Sequence, residues 1–436
     1  MAEDRRAIWS WCFYDFANSP FTTLVVTFIY GTFFANVLAA DHFLATGAAA
    51  DKDAAVNMGT ELWSRGVVIA ALTVALVSPF LGALSDRGGY RKLFLFLTTS
   101  TCVLGSLALY GIESRLFLAL AVFVVANTAF EMGMVFYNAF LPEIAPPEKI
   151  GRVSGYGWGL GYGGGLLALV IALVTLVQPE VPMFGFTKEG GENIRATNLL
   201  VAGWLALFSI PLFLWVKEDK SRVSTSGSIF GESFRQLRQT FRDIQRYRQI
   251  VRFLVARLIY NDGLVTVFAF GGIYAQGTFG FSFQEILLFG IALNVAAGLG
   301  AVVFGFLDDK LGGRRTLEIS IIALAIATVI AVVAPNKTVF WAAGFLLGIF
   351  AGPTQAASRS LLGRFAPEEK KNEFFGFYAL SGKATAFLGP LLLGQLTVMF
   401  NSQRVGVGFL IVLFVVGYFL LRRVDEEEGI RMSGRT

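Results

Sequence analysis

Long apolar runs recur along the whole chain, and they constrain the fold more than any other feature of the sequence. A helix needs about 20 mainly apolar residues to cross the hydrocarbon core of a bilayer. Only 15% of the residues are charged and 55% are hydrophobic, so the chain lacks the polar surface that a soluble globule of this size requires. The runs are too long and too evenly apolar for barrel strands. The predicted fold class is therefore an all-α membrane protein.

Twelve transmembrane helices are predicted, with an even number placing both chain ends on the same side of the membrane. Most of the 36 Lys and Arg residues lie in the segments on that side, which predicts cytoplasmic termini by the positive-inside rule. The net charge of +5 follows from the same rule and does not indicate nucleic-acid binding. The predicted spans are 8–38, 61–84, 93–111, 116–141, 153–177, 196–216, 251–277, 283–307, 316–333, 338–363, 374–400 and 405–423.

Residue types that support metal, redox or nucleophilic chemistry are sparse. The single histidine, His42, lies in a polar loop, and Cys12 and Cys102 lie in apolar runs, so we expect neither a metal site nor a disulfide framework. The glycine-rich stretch 151–165 contains a G-x-G-x-x-G pattern, but no strand precedes it. We therefore predict close helix packing there, no cofactor and no enzyme activity. Active transport would then have to use an ion gradient.

The two halves of the sequence repeat. A Gly-Asp-Gly-Arg pattern follows the second predicted helix and recurs 223 residues later, after the eighth. Its glycines allow a tight turn, its aspartate can accept hydrogen bonds at a helix N-terminus, and its arginine can clamp a carboxylate of an adjacent helix. We predict a conformational gate in each half rather than a substrate site. The predicted gate residues are Gly82, Asp86, Arg87, Gly89 and Arg91, and then Gly305, Asp309, Gly312 and Arg314.

A second repeated pair supports the same division. The segment 141–149 ends the fourth predicted helix, and 362–370 ends the tenth. Parallel repeats of this kind build two pseudo-symmetric six-helix halves. The predicted domains are an N-terminal half over 1–216, a cytoplasmic linker over 217–250, and a C-terminal half with a cytoplasmic tail over 251–436. The linker alternates apolar residues with arginines at helical spacing, which predicts an amphipathic helix at the inner membrane surface.

These loops resemble the hallmark loop of the major facilitator superfamily (MFS). Within it, the chain resembles the branch containing the yeast vacuolar amino-acid effluxer of autophagy and its bacterial relatives, from about residue 8 to 423. Three stretches carry the narrower match: 14–19 (YDFANS), 136–142 (FYNAFLP), and 355–360 (QAASRS) with 373–378 (EFFGFY). The resemblance implies a secondary transporter that works by alternating access and exports amino acids. The compact, basic chain indicates a bacterial inner-membrane protein.

Charged residues within predicted membrane helices each cost about 2.5–3.5 kcal/mol on insertion scales, so they require a role. By resemblance, the first, fourth, seventh and tenth helices line the central cavity, and five of the six charges lie on them. Neutral polar residues join this set. The candidate substrate and coupling residues are Asp15, Asn18, Glu131, Asn138, Arg257, Asp262, Gln355, Arg359 and Lys383.

Two roles are open for these charges. Asp15, Arg359 and Lys383 lie toward the predicted cytoplasmic ends, where they could form an inner gate of ion pairs that touches no substrate. Glu131 and Asp262 lie deeper, and desolvation favours the neutral form of a carboxyl, so either could carry the coupling proton. The predicted function is proton-coupled efflux of small zwitterions such as amino acids.

Two other functions compete with this one. The chain could carry a lipid-like or amphipathic substrate, or act as a non-transporting sensor or assembly factor on the same fold. Buried acids and arginines disfavour the first, and two complete gate loops disfavour the second. The expected partners are a small-molecule substrate, protons or another coupling ion, and membrane lipids, and a monomer is expected.

Overall fold

A computed structural model describes residues 4–218, 229–242 and 245–434. Within them the chain is helical, with no strand, and eleven helices are long and apolar enough to cross a membrane. The membrane helices are α1 (Arg5–Ala45), α2 (Lys52–Gly88), α3 (Arg91–Gly111), α4 (Leu116–Asn138), α5 (Ile150–Ala172), α6 (Glu192–Trp215), α7 (Arg248–Phe279), α8 (Phe283–Leu311), α9 (Gly313–Val333), α10 (Lys337–Phe365), the split α11a (Lys371–Lys383) and α11b (Leu388–Met399), and α12 (Gln403–Leu421).

Besides single helical turns, two further helices of the described chain lie outside the membrane set. The linker helix, Ile229–Arg242, lies within the predicted linker, and the tail helix, Glu426–Ser433, follows α12. We call the face of the bundle where α1 begins and where the tail helix lies the terminal face. α1 begins at Arg5 because Asp4 caps its N-terminus. The Asp4 side chain accepts hydrogen bonds from the backbone N–H groups of Arg6 and Ala7.

The prediction of one continuous helix over 374–400 is wrong. α11a ends at Lys383 and α11b begins at Leu388, so neither part reaches the length of a membrane span. The break is possible because Asp262 of α7 accepts a hydrogen bond from the Gly389 backbone N–H at 2.9 Å. Pro390 has no N–H to satisfy. The two parts together occupy the place of the predicted eleventh helix, which preserves the twelve-helix layout.

The packing within each half follows the sequence repeat. In the first half, α4 packs against α2 and α3, and α1 packs against α6; in the second, α10 packs against α8 and α9, and α7 packs against α12. Each of these pairs has its counterpart six membrane helices later. The two six-helix halves are therefore parallel structural repeats.

The halves meet through two glycine-lined contacts near the terminal face. α2 packs along α11a, and α5 packs along α8. A Cβ atom on Gly82 would lie under 3.0 Å from the Asn372 carbonyl, and one on Gly155 would lie equally close to the Ala301 carbonyl. Only a residue without a side chain lets the two backbones approach this closely. Gly82 therefore serves contact between the halves from inside α2, while the turn is made by Gly89, whose φ is +61.

A pair of glycine substitutions in α5 tests this contact. We expect Gly155→Ala to separate α5 from α8 and to increase the population in which the terminal face is open. Gly163→Ala is the matched control, because a Cβ atom there would meet nothing within 4 Å. Spin labels at Glu148 and Glu427, one exposed position in each half, report the separation by electron–electron double resonance. Equal distance distributions for the two variants would contradict this account.

Candidate functional site

Each predicted gate aspartate caps a helix of the opposite half. Asp86 accepts hydrogen bonds from the backbone N–H groups of Asn372 at 3.0 Å and Glu373 at 2.9 Å, at the start of α11a. Asp309 accepts from Gly151 at 2.8 Å, at the start of α5. The first N–H groups of a helix have no partner within the helix and carry partial positive charge, so an anion stabilises them. These three bonds hold the halves together at the terminal face.

The predicted arginine clamp forms in one half only. Arg91 of α3 contacts Glu143 at 2.9 Å, and Glu143 also binds Lys371 of the second half at 3.0 Å. The prediction that Arg314 clamps an adjacent helix is wrong: its side chain binds Glu318 of its own helix at 3.0 Å. The side chain of Arg87, the other predicted gate arginine, lies outside the described part of the chain.

In the second half, the tail helix, instead of an arginine clamp, binds the start of α9. Glu426 of the tail helix accepts hydrogen bonds from the backbone N–H groups of Gly313 and Arg314, each at 2.9 Å. The preceding glycine, Gly312, has φ +89, a conformation that favours glycine. The same turn of the tail helix is anchored a second time, because Arg248 donates a hydrogen bond to Glu428 and holds the pKa of that carboxyl below its ordinary range. The tail helix therefore fixes the start of α9.

Asp15 and Arg359 form a buried ion pair between α1 and α10. The Arg359 Nη1 atom lies 2.9 Å from Asp15 Oδ2 and 3.3 Å from the Asn138 side-chain oxygen. The Asp15 and Arg359 side chains are 7% and 1% exposed. The guanidinium also lies over the Trp11 ring, 4.6 Å from its centroid. The pair joins the two halves, as expected of an inner gate, and this geometry leaves little access for a solute.

Two residues of α5, Ser154 and Gly157, also surround this ion pair, and no sequence pattern indicates the role of Ser154. Ser154 accepts a hydrogen bond on its hydroxyl from Arg359 Nε at 3.0 Å and, on its carbonyl, from Arg359 Nη2 at 2.7 Å. A Cβ atom on Gly157 would lie 2.5 Å from the Asp15 carboxylate and 2.8 Å from the guanidinium. The glycine-rich stretch predicted close packing, and here it makes room for a charge pair.

Glu131 and Lys383 form a second ion pair between the halves. The Lys383 ammonium, at the end of α11a, lies 2.5 Å from the Glu131 carboxylate on α4. The two side chains are 22% and 31% exposed, in contrast to the sealed Asp15–Arg359 pair. Sequence reasoning placed both residues in the membrane without pairing them. This pair is therefore less enclosed by protein than the Asp15–Arg359 pair.

A polar cluster in the second half lies next to Lys383. Arg257 donates to the Tyr378 carbonyl at 2.8 Å and to the Ser381 hydroxyl at 2.9 Å, and it lies over the Tyr378 ring at 3.5 Å. Gln355 donates to Asn261 at 3.3 Å, whose amide group reaches the Gly382 carbonyl at 3.5 Å. No carboxylate pairs with Arg257 among the described residues, and its Nε atom has no hydrogen-bond partner there.

Arg257 and Asp262 match the electrostatics of the broken helix. Arg257 binds near the C-terminal end of α11a, through the Tyr378 carbonyl and the Ser381 hydroxyl, on the side where a helix carries partial negative charge. Asp262 binds the start of α11b, where N–H groups carry partial positive charge. Asp262 is 3% exposed, and its Oδ1 atom has no hydrogen-bond partner among the described residues. Each charge on α7 thus compensates one half of α11, which accounts for both without a substrate.

The remaining candidate, Asn18, lies within the first half. Its amide group contacts the Met134 sulfur at 3.4 Å. Within the described residues, no group of three or more His, Cys, Asp and Glu side chains could hold a metal ion. Of the predicted site residues, the structure therefore joins Asp15, Asn138 and Arg359 in one cluster, Glu131 and Lys383 in a second, and Arg257 and Gln355 with the α11 break in a third.

Comparison with known proteins identifies the family of this chain. The family described as "Vacuole effluxer Atg22 like" matches residues 3–152 and 146–434. This chain belongs to the Atg22-like family. A relative, the uncharacterized MFS-type transporter YxiO of Bacillus subtilis (strain 168), is 28% identical over 97% of this chain and 96% of its own length. Autophagy-related protein 22 of Kluyveromyces lactis is 22% identical over 98% of this chain and 95% of its own.

Solved structures show the same fold for this Atg22-like chain. The proton:xylose symporter XylE matches with a TM-score of 0.74 and 12% identity, over 97% of this chain and 96% of its own. The human organic anion transporter MFSD10 matches with a TM-score of 0.71 and 14% identity, over 97% and 100%. At these identities the likeness shows the fold alone. Together with the family, it makes the chain a multi-pass MFS-type transporter.

Substitutions of Asp262 test its structural role in this Atg22-like protein. We expect Asp262→Ala to lower the free energy of unfolding by about 1–2 kcal/mol, because the Gly389 N–H loses its partner inside the membrane. Asp262→Asn is the control, since an amide oxygen still accepts that bond. Thermal unfolding in detergent measures both. A stable alanine variant, or an asparagine variant that is equally destabilised, would show that the cap does not hold the break.

Proposed function

We propose that this transporter exports small zwitterionic solutes, amino acids among them, in exchange for protons, with Glu131 as the coupling acid. The observation that carries the proposal is the part-exposed Glu131–Lys383 ion pair between the halves. Its carboxylate and ammonium are the same two groups that a zwitterion presents. A solute that enters between them replaces one charge contact with two equivalent ones, so the pair opens without leaving a charge uncompensated.

Proton coupling follows from the same pair. Protonation of Glu131 removes the charge that attracts Lys383, and with it one tie between α4 and α11a. A proton that binds Glu131 therefore favours separation of the halves near the terminal face, and its release restores the tie. A solute or proton that binds this pair shifts the transporter between its closed and open states only if it binds one state more tightly than the other.

The direction and the compartment are part of the proposal. Positively charged residues concentrate in the segments of the terminal face, which supports a cytoplasmic placement of that face and of both termini. The closed terminal face then corresponds to an outward-facing state. The family description of its members as vacuole effluxers supports export rather than uptake. In a bacterial cell, the membrane is the inner membrane.

Counterflow in proteoliposomes tests the function. Labelled amino acids are loaded and a proton gradient is imposed. We expect one amino-acid class to exchange, and Glu131→Gln to lower gradient-driven transport by at least about tenfold while sparing exchange without a gradient. Glu285→Gln is the matched control, because Glu285 forms a similar ion pair with Lys337 at 2.8 Å within the second half.

Each other outcome changes the proposal in a defined way. Loss of gradient-driven transport in Asp262→Asn but not in Glu131→Gln would move the coupling role to Asp262. If both variants kept full gradient-driven transport, proton coupling through either acid would be wrong. If the folded, monodisperse protein moved no amino acid, the zwitterion assignment would fail, and amphipathic substrates would be tested next.

A further inference from the structure

The linker helix packs its polar face against the gate. Ser233, Gln236 and Thr240 share one side of this helix, and all three are buried. Gln236 donates a hydrogen bond to the Glu373 carboxylate at 2.6 Å, and Lys370 donates to the Thr240 hydroxyl at 2.8 Å. The sequence predicted that an apolar face would determine how this helix lies. Among the described side chains, these polar residues form the contact of the linker helix with the gate.

This contact is connected directly to the gate bond. Glu373, which accepts from the linker helix through its side chain, donates its backbone N–H to Asp86 at 2.9 Å. The linker helix also packs against α2, which carries Asp86. A linker helix held in this position therefore fixes both the donor and the acceptor of the bond that closes the terminal face. Displacing the helix would loosen the closed gate.

The opposite side of the linker helix is basic. Arg235, Arg238 and Arg242 are exposed, and at 100° per residue they fall within about 60° of one another, facing away from the buried polar residues. Among the described residues, none of the three has an ion-pair partner. Beside them Phe234 is 67% exposed. The side chains of Ile229, Phe230 and Phe241, and all of Ile244, which completed the predicted apolar pattern, lie outside the described part of the chain.

We propose that this basic face binds anionic lipid headgroups of the cytoplasmic leaflet and that the bound lipid favours the closed gate. An anionic membrane surface attracts each arginine near it, and the membrane interface also accepts an exposed phenylalanine. A soluble acidic partner would satisfy the arginines alone. The inference depends on the proposed cytoplasmic placement of the terminal face and not on the proposed substrate.

Lipid binding and gate closure affect each other by the same factor, so their coupling can be measured at the gate. If lipid binds more tightly when the linker helix is packed on the gate, then lipid must favour the closed gate by the same factor. The full-length protein, spin-labelled at Glu148 and Glu427, is placed in nanodiscs of phosphatidylcholine alone or mixed with phosphatidylglycerol. We expect the closed-to-open ratio to rise by about tenfold in the anionic nanodiscs.

Three variants separate lipid binding by the linker helix from the coupling of that binding to the gate. The triple change Arg235→Gln/Arg238→Gln/Arg242→Gln should abolish the lipid response. Lys217→Gln/Arg422→Gln/Arg431→Gln removes the same charge from other exposed positions near the terminal face and should keep it. Gln236→Ala retains the basic face but lacks the bond to Glu373, so its gate should no longer respond to lipid.

Several results would overturn the proposal. It fails if the arginine variant responds to phosphatidylglycerol as the unmodified protein does, or if the matched control loses the response equally. It also fails if an acidic peptide closes the gate in phosphatidylcholine while anionic lipid does not, which would indicate a protein partner instead. The readout is a distance and requires no transport, so failure of the amino-acid assignment leaves it unaffected.

Discussion

Two aspartates hold the terminal face closed, and the function of the molecule depends on where they do so. Asp86 and Asp309 each accept hydrogen bonds from the first peptide N–H groups of a helix in the opposite half. Deep in hydrocarbon, separating such a bond would leave an anion and a backbone donor without partners, at a cost of several kcal/mol. At the membrane surface, water replaces both partners. The bonds can therefore break and re-form within a transport cycle.

Two of the ion pairs between the halves, Asp15–Arg359 and Glu131–Lys383, join membrane helices and differ in burial. Asp15–Arg359 is sealed, and Ser154, Asn138 and the Trp11 ring supply further contacts to its guanidinium. Removing one member of such a pair is costly because the other remains buried and charged. Glu131–Lys383 is part-exposed and has fewer supporting contacts. Opening the second pair therefore costs less, which is why we propose it as the site where a solute or a proton competes.

The sequence predicted the architecture well because hydrocarbon enforces it: apolar length, charge bias and the repeat at 223 residues each leave few alternatives. It could not assign partners, since pairs such as Asp15 and Arg359 depend on helix rotation and tilt. It also missed the break in α11: Gly389 and Pro390 indicate a kink there, but the stretch is apolar enough for a continuous span. The charge that caps α11b, Asp262, lies on another helix, where the sequence pattern indicates a coupling group instead.

Because α11 is split, its first part belongs to one half of the chain by sequence but packs against the other half. By sequence, α11a belongs to the second half, yet it packs along α2 of the first, while α11b packs against α12 of its own half. Rocking of the halves would therefore act on the turn between Lys383 and Leu388, making helix 11 a joint within a repeat. If the protein were produced as two fragments divided in the linker, the second fragment alone would expose the glycine-bearing surface of α11a that α2 covers.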